Sequence, residues 1–411
     1  MDLVYPRCCG LDVHKKSITA CILVAIGSSK QKHVRRFGTM TADVRELASW
    51  MQSFSVTHVA MESTGVYWKP VWNVLESEFQ LVLVNAAHIK NVPGRKTDMK
   101  DCEWIAQLLQ HGLLRGSFVP DRSIRELRDL NRQRVALIGE RNRVSNRVQK
   151  VLEDANIKLA AVASDTLGLS GRHMLEAIIR GEQDPDKLAS LARGLLKRKA
   201  DALRSALDGK VTEHHRFCLK QLLAQVDFLN SQIAEMNKEI ERRSAAMEDC
   251  VRRLDTIPGI DEVAARALLA EIGTRMEQFP TAAHCASWAG LCPGNNESAG
   301  KRLSGTTRKG SPWLRRVLVQ AAWAASHTKD TYLRSQFFRI AARRGKKRAL
   351  VAVAHTILVI AWHILKAGAT YQELGGNYFE QRHAEALKHS LVRRLERLGN
   401  RVTLEPSAGT V

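Results

Sequence analysis

Cys8-Cys9-Gly10-Leu11-Asp12-Val13-His14-Lys15-Lys16-Ser17-Ile18-Thr19-Ala20-Cys21-Ile22-Leu23-Val24 decides how the N-terminal part of this chain is read. An apolar run ending near Asp12, a tight polar turn and a second run of β-branched and apolar residues predict strand, turn and strand. Asp12 then stands at the end of a first strand, beside a hairpin. An Asp in that place suits the start of a turn. It also suits a cation ligand, provided that other acids fall nearby. Both readings stay open on this stretch alone.

Working outward, residues 33–39 read as a third strand, and Thr41 caps a helix whose apolar positions Val44, Leu47, Ala48 and Met51 stand three and four apart. Residues 56–61 read as a strand that delivers Glu62 at its C-terminal end. A turn over 63–65 leads into an amphipathic segment, 66–75, and then a buried strand, 79–84. Residues 85–96 are a polar loop with Pro93-Gly94, after which Thr97 caps a helix from Asp98 onward. The order β-β-β-α-β-α-β-α is that of a ribonuclease-H-like α/β domain. Asp98 and Asp101, three apart on the expected helix, face the same way. Asp12 and Glu62 belong to one edge of the sheet, where ligands of α/β folds collect. Clustered carboxylates suit Mg²⁺ or Mn²⁺, hard cations that prefer oxygen. For Asp98 a simpler role is also open, since an acid at a helix start complements the dipole.

At 411 residues the chain exceeds one compact core, so two or three domains are expected. No apolar run approaches the roughly 20 residues of a membrane span. The N-terminus lacks a signal-peptide layout, and a cytoplasmic, nucleoid-associated protein without a membrane partner is expected. Eight Cys without a CxxC pair exclude a zinc ribbon and a disulfide framework, and read as reduced, mostly buried thiols. The net charge of +21 is uneven: residues 251–411 carry 25 Lys+Arg against 12 Asp+Glu, whereas 1–120 and 121–250 hold a surplus of four each. That is the footprint of a polyanion partner, with nucleic acid the commonest.

Beyond residue 120 the pattern turns helical. From Ser123 the apolar positions Ile124, Leu127, Leu130, Leu137, Val144, Val148 and Val151 interleave with a stripe of arginines. A break near 163–171, a helix start at Asp184-Pro185 and a third long helix over 213–247 follow. Residues 254–273, with Pro258-Gly259, carry a helix–hairpin–helix signature, whose turn can present backbone N–H groups to phosphate. Residues 295–310 read as a mobile, Gly-rich basic loop, with Ser298, Ser304, Thr306 and Thr307 as hydroxyls and Lys301, Arg302, Arg308 and Lys309 as phosphate contacts. A helix begins at Pro312, residues 343–348 form a basic turn, and 383–397 one more basic helix. His14 reads as a turn residue or a phosphate contact; His88, His355 and His363 as packing or surface residues. Trp288, Trp313, Trp323 and Trp362 read as helical core.

Three strings, GLDVHK (10–15), MESTGVYW (61–68) and KTDMKD (96–101), resemble the DEDD transposases of the insertion-sequence one-ten family, which includes the Piv-type DNA invertases. Cys102 stands where many relatives carry Ala. The resemblance implies a RuvC-like catalytic domain over 1–120, a helical coiled-coil linker over 121–250, a mostly helical C-terminal transposase domain over 251–370, and a basic, partly disordered tail over 371–411. It further implies a metal site of Asp12, Glu62, Asp98 and Asp101, a nucleophilic Ser298 in Glu297-Ser298-Ala299-Gly300, DNA and a guide (bridge) RNA as partners, and a dimer or tetramer. Ser304-Gly305 is the rival position for the serine. Two other readings remain: a resolvase-type nuclease using water, and an architectural DNA-binding protein. Four acids in a basic protein disfavour the second.

Overall fold

The computed structural model describes residues 3–26, 29–63, 65–86, 89, 101–294, 296–298, 301–304, 306–307, 309–382 and 384–404. The chain divides into two compact units, Met1–Pro120 and Asp121–Val411.

In the first unit, β1 (Arg7–Val13), β2 (Ile18–Ile26) and β3 (Ser29–Phe37) form an antiparallel meander, closed at the first turn by His14 N–H donating to Ser17 O. Next come α1 (Thr41–Ser53), β4 (His58–Glu62), α2 (Trp68–Leu75) and β5 (Gln80–Val84), with β4 parallel to β1 and β5 parallel to β4. The sheet order is β3-β2-β1-β4-β5. Side chains alternate across it as the pleat requires. Leu11, Val13, Val59 and Met61 pack with Leu47, Met51 and Leu75 of α1 and α2. Cys8, Ala60 and Val84 pack on the other face with Cys102, Ile105 and Leu109 of α3 (Asp101–Gln110).

Two expectations need correction here. The third strand starts at Ser29, not 33, because an edge strand exposing Lys30, Lys32, Arg35 and Arg36 shows no apolar alternation. Thr41 is the first helical residue rather than the cap; Met40 occupies the cap, and its N–H donates to the Asp43 carboxylate at 3.0 Å. The expected Thr97 cap and the helix start at Asp98 lie outside the described residues.

The second unit is helical. α4 (Arg122–Asp154) leads into a small bundle of α5 (Leu159–Val162), α6 (Leu169–Ile179), α7 (Pro185–Ser190) and α8 (Ala200–Leu207), which shares its own core around Leu152, Met174, Ile178 and Leu203. Asp184 caps α7 by accepting from Asp186 N–H, with Pro185 at the first helical position. The chain returns along α4 as α9 (Glu213–Ser244). Polar rungs fix the pair as antiparallel: Arg141 donates to Asn230, Arg147 to Gln225, and Arg243 to Glu126 at 2.7 Å. Leu137, Val144, Val226 and Leu229 fill the seam between them.

α10 (Glu248–Asp255) and α11 (Glu262–Ile272) are joined through Gly259, which takes a left-handed φ of 88°. A Cβ there would lie 2.3 Å from Ala321 O, so this turn is packed against α13 (Pro312–Ala325). α12 (Ala282–Trp288) precedes a hairpin of β6 (Asn296–Ser298) and β7 (Lys301–Ser304). Residues 295–310 are therefore not a plain mobile loop: the described part is a short antiparallel ladder, extended by Gly294 N–H donating to Thr306 O and by a Pro293–Thr307 bridge. α14 (Tyr332–Arg344) follows α13 and meets α15 (Lys346–Ala367) at Gly345. α15 is long and apolar enough to cross a membrane, yet it is a core helix here, burying Val353, Ala354, Ile357, Leu358 and Ala361 among its neighbours. Of the four tryptophans read as core, Trp362 is buried and its Nε1 donates to Phe279 O at 3.1 Å, whereas Trp323 is 51% exposed. α16 (Tyr378–Arg382) and α17 (Ala384–Arg397) close the described chain.

Candidate active site

β1 and β4 are in register at Leu11 and Met61, so Asp12 and Glu62 follow side by side on adjacent parallel strands. Alternation puts both on the face that carries α3, because Gly10 and Ala60, two residues earlier, lie beneath that helix. Gly10 has a reason to be Gly. Any Cβ there would lie 2.3 Å from Cys102 O and 2.5 Å from Ala106 N, so the helix backbone rests directly on β1. This contact holds the start of α3, and with it Asp101, against the strand face that ends in Asp12.

Asp12 is 22% exposed, and its Oδ2 lies 3.1 Å from Nε2 of His14, which is 62% exposed. The His14 imidazole thus sits next to the first acid rather than in solvent alone. In the first turn of α3, Glu103 is ion-paired to Lys32 at 3.0 Å and is not available to the acid group. Asp98 lies outside the described residues. Among the described residues no three His, Cys, Asp or Glu side chains stand close enough together to hold a metal ion. Asp12 and Glu62 share a face and an end of the sheet, and Asp101 stands at the start of the helix packed on that face; the three do not form a closed ligand set by themselves.

The cysteines behind this face are not ligands. Burial pushes the Cys8 and Cys21 thiols up to about 12 and that of Cys9 well above its ordinary value, so all three stay protonated at neutral pH. All eight cysteines are free thiols, five of them buried, as their spacing led one to expect.

In the second unit the register separates the two candidate serines. Ser298 ends β6 opposite Lys301, at the closed end of the hairpin, whereas Ser304 stands opposite Asn296, toward its base. Lys301 and Lys309 are exposed; Arg308 lies outside the described residues, and Arg302 stands opposite Glu297. The base of the hairpin is firmly tied. Gly310 fits against Ala289 and Gly290 so closely that a Cβ would lie 2.3 Å from the Ala289 carbonyl. Ser311 Oγ donates to Glu271 Oε2 at 3.1 Å and also caps α13. Glu271, 4% exposed, takes a two-pronged contact from Arg132 at 2.9 and 3.0 Å, while Arg128 donates to the Ala270 and Glu271 carbonyls. The helical pattern of α4 marked Arg128 and Arg132 only as part of a basic stripe. Glu271, apolar in its surroundings and acidic in its chemistry, was the available signal that two of those arginines have a buried partner.

Two family descriptions match this chain, the first of them running across the boundary between the two units. Residues 9–157 match a DEDD transposase family, described as Transposase. Residues 251–344 match the Transposase IS116/IS110/IS902 family. The chain is 25% identical over 341 residues to the putative transposase y4pF/y4sB of Sinorhizobium fredii, covering 81% of this chain and 79% of that one. It is 26% identical over 336 residues to the transposase for insertion sequence element IS1111A of Coxiella burnetii, covering 80% and 82%. A 43.6 kDa protein of insertion element IS110 from Streptomyces coelicolor is 26% identical over 303 residues, covering 68% and 73%. With both units matched and the three acid-bearing strings in place, the chain belongs to the IS110 family of DEDD transposases.

Proposed function

We propose that this transposase cuts and exchanges DNA strands with a composite site, four carboxylates in the first unit and a serine in the second. The observation that carries the reading is the side-by-side placement of Asp12 and Glu62 at the ends of parallel strands, on the face where α3 begins with Asp101. The sheet order β3-β2-β1-β4-β5 supports a ribonuclease-H-like (RuvC-like) catalytic unit over 1–120. Residues 121–250 then serve as the helical linker and 251–370 as the transposase domain, with the α10–α11 pair as its helix–hairpin–helix.

The donor chemistry fits a hard divalent cation, since every candidate ligand is a carboxylate and the nearby thiols are buried and protonated. Asp12, Glu62, Asp98 and Asp101 would hold Mg²⁺ or Mn²⁺, which supplies Lewis acidity at a scissile phosphate. The chain's own part is nucleophilic. Ser298 Oγ forms a bond to phosphorus as the deoxyribose oxygen leaves, and the serine proton passes to that oxygen by way of a carboxylate base. Lys301, opposite Ser298, neutralises the phosphate during the exchange. The resulting phosphoserine conserves the energy of the DNA bond, which is what strand exchange requires. Guidance by a bridge RNA and assembly as a dimer or tetramer complete the proposal; they rest on the family resemblance.

The acid site is tested by Asp12→Asn, Glu62→Gln, Asp98→Asn and Asp101→Asn, each keeping side-chain shape while removing one charge. Each variant should lose strand cleavage in Mg²⁺ by about 100-fold or more, with thermal melting and DNA binding retained. Full cleavage by two or more of them would remove the site from the account.

A further inference from the structure

The second unit contains an open groove of about 1390 Å³ between α14, α16 and α17. Arg334, Phe338, Arg339 and Arg343 enter it from one side of α14, at spacings of four, one and four; Phe379 and Arg394 enter from α16 and α17. Phe338 is 53% exposed, an aromatic ring that the fold does not use as core. The Arg334 guanidinium lies over it at 5.4 Å, and that of Arg339 lies over Phe379 at 4.7 Å. None of the four arginines is ion-paired among the described residues. The groove also carries Asp330 and Glu380, so it holds a net surplus of positive charge rather than a purely basic wall.

Resting on the reading of this chain as an enzyme that processes nucleic acid, we propose that this groove binds an unpaired polynucleotide strand. Alternating rings and guanidiniums match such a strand, whose bases offer flat π faces and whose phosphates lie between them. A duplex keeps its bases stacked inside and would not use the exposed ring of Phe338, whereas Phe379 is already stacked on Tyr332 at 5.2 Å and serves as the floor of the groove. An acidic peptide would use the arginines and not the rings. Unpaired DNA and unpaired RNA share the recognised chemistry, and the experiment separates them. Among the described residues, neither Ser298 nor any of the acids lines the groove, so it adds a holding site and not a second catalytic one.

The test uses the full-length protein and three labelled probes of equal length: single-stranded DNA with one 2-aminopurine, the matching single-stranded RNA, and duplex DNA. Binding is read by anisotropy across a salt series, and stacking by 2-aminopurine emission. The double variant Arg343→Gln/Arg394→Gln should weaken single-strand binding about ten-fold and reduce the salt slope by about 1.4, with duplex binding changed less than two-fold. Phe338→Leu, at an exposed position that leaves the fold intact, should abolish the emission change on binding. The strand type bound more tightly names the source. Unchanged single-strand binding, or equal loss for single strand and duplex, overturns the proposal. Strand cleavage by the Asp12→Asn variant is a separate readout, so failure of the acid site and failure of the groove remain distinguishable.

Discussion

Gly10 shows how one residue can set a site without taking part in its chemistry. It lets the α3 backbone rest on β1, two residues before Asp12. Gly10→Ala should therefore cost about 3 kcal/mol of stability, because the clash is with backbone atoms that no rotamer change relieves; urea denaturation of the single variant measures it. A loss below about 1 kcal/mol would mean that α3 is free to shift. Asp12 and Glu62 were legible in the sequence because each ends an apolar run, and strand ends are where that pattern stops. Their pairing side by side was not, since register is a property of two strands and neither run carries it alone. Trp323 was misread for a related reason. Aromatic residues at helical spacing look alike whether they face a core or solvent, and only the packing of α13 against α15 shows that Trp362 is inside and Trp323 half outside.

Among the elements, the two long helices were plain from their apolar period, and their antiparallel pairing explains what the arginine stripe does. Arg141, Arg147 and Arg128 spend hydrogen bonds on α9 or α11 rather than offering them all to a phosphate. The strongest of these ties is Arg132 to Glu271, which in turn holds Ser311 at the exit of the β6–β7 hairpin. Glu271→Ala leaves Arg132 and Ser311 without their buried acceptor, so it should destabilise the second unit by about 3 kcal/mol. Thermal melting of Glu271→Ala beside the exposed control Glu235→Ala checks this, and equal melting points would contradict the anchoring role. The hairpin itself was hidden in the sequence. Its strands are three and four residues long and rich in polar side chains, so neither alternation nor β-propensity rises above the glycine signal around them.

At the scale of the whole molecule, charge is the property that sequence alone states fully. The surplus beyond residue 250 predicts binding that falls steeply with salt. Neutralising Lys301, Arg302, Arg308 and Lys309 together should weaken binding to every DNA sequence and lower the salt slope by about 3 to 4. An unchanged slope would place the phosphate contacts elsewhere. The division into two compact units gives the proposed chemistry its defining demand, since the acids belong to one unit and Ser298 to the other. A hydrolytic nuclease would need only the first unit and water; strand exchange through serine needs both. The most direct measurement is therefore to incubate wild type, Ser298→Ala and Ser304→Ala with a nicked suicide DNA substrate in Mg²⁺ and separate the denatured products. Wild type and Ser304→Ala should give a protein–DNA band that survives denaturant, and Ser298→Ala none; cleavage by wild type without any such band would contradict serine attack and leave water as the nucleophile.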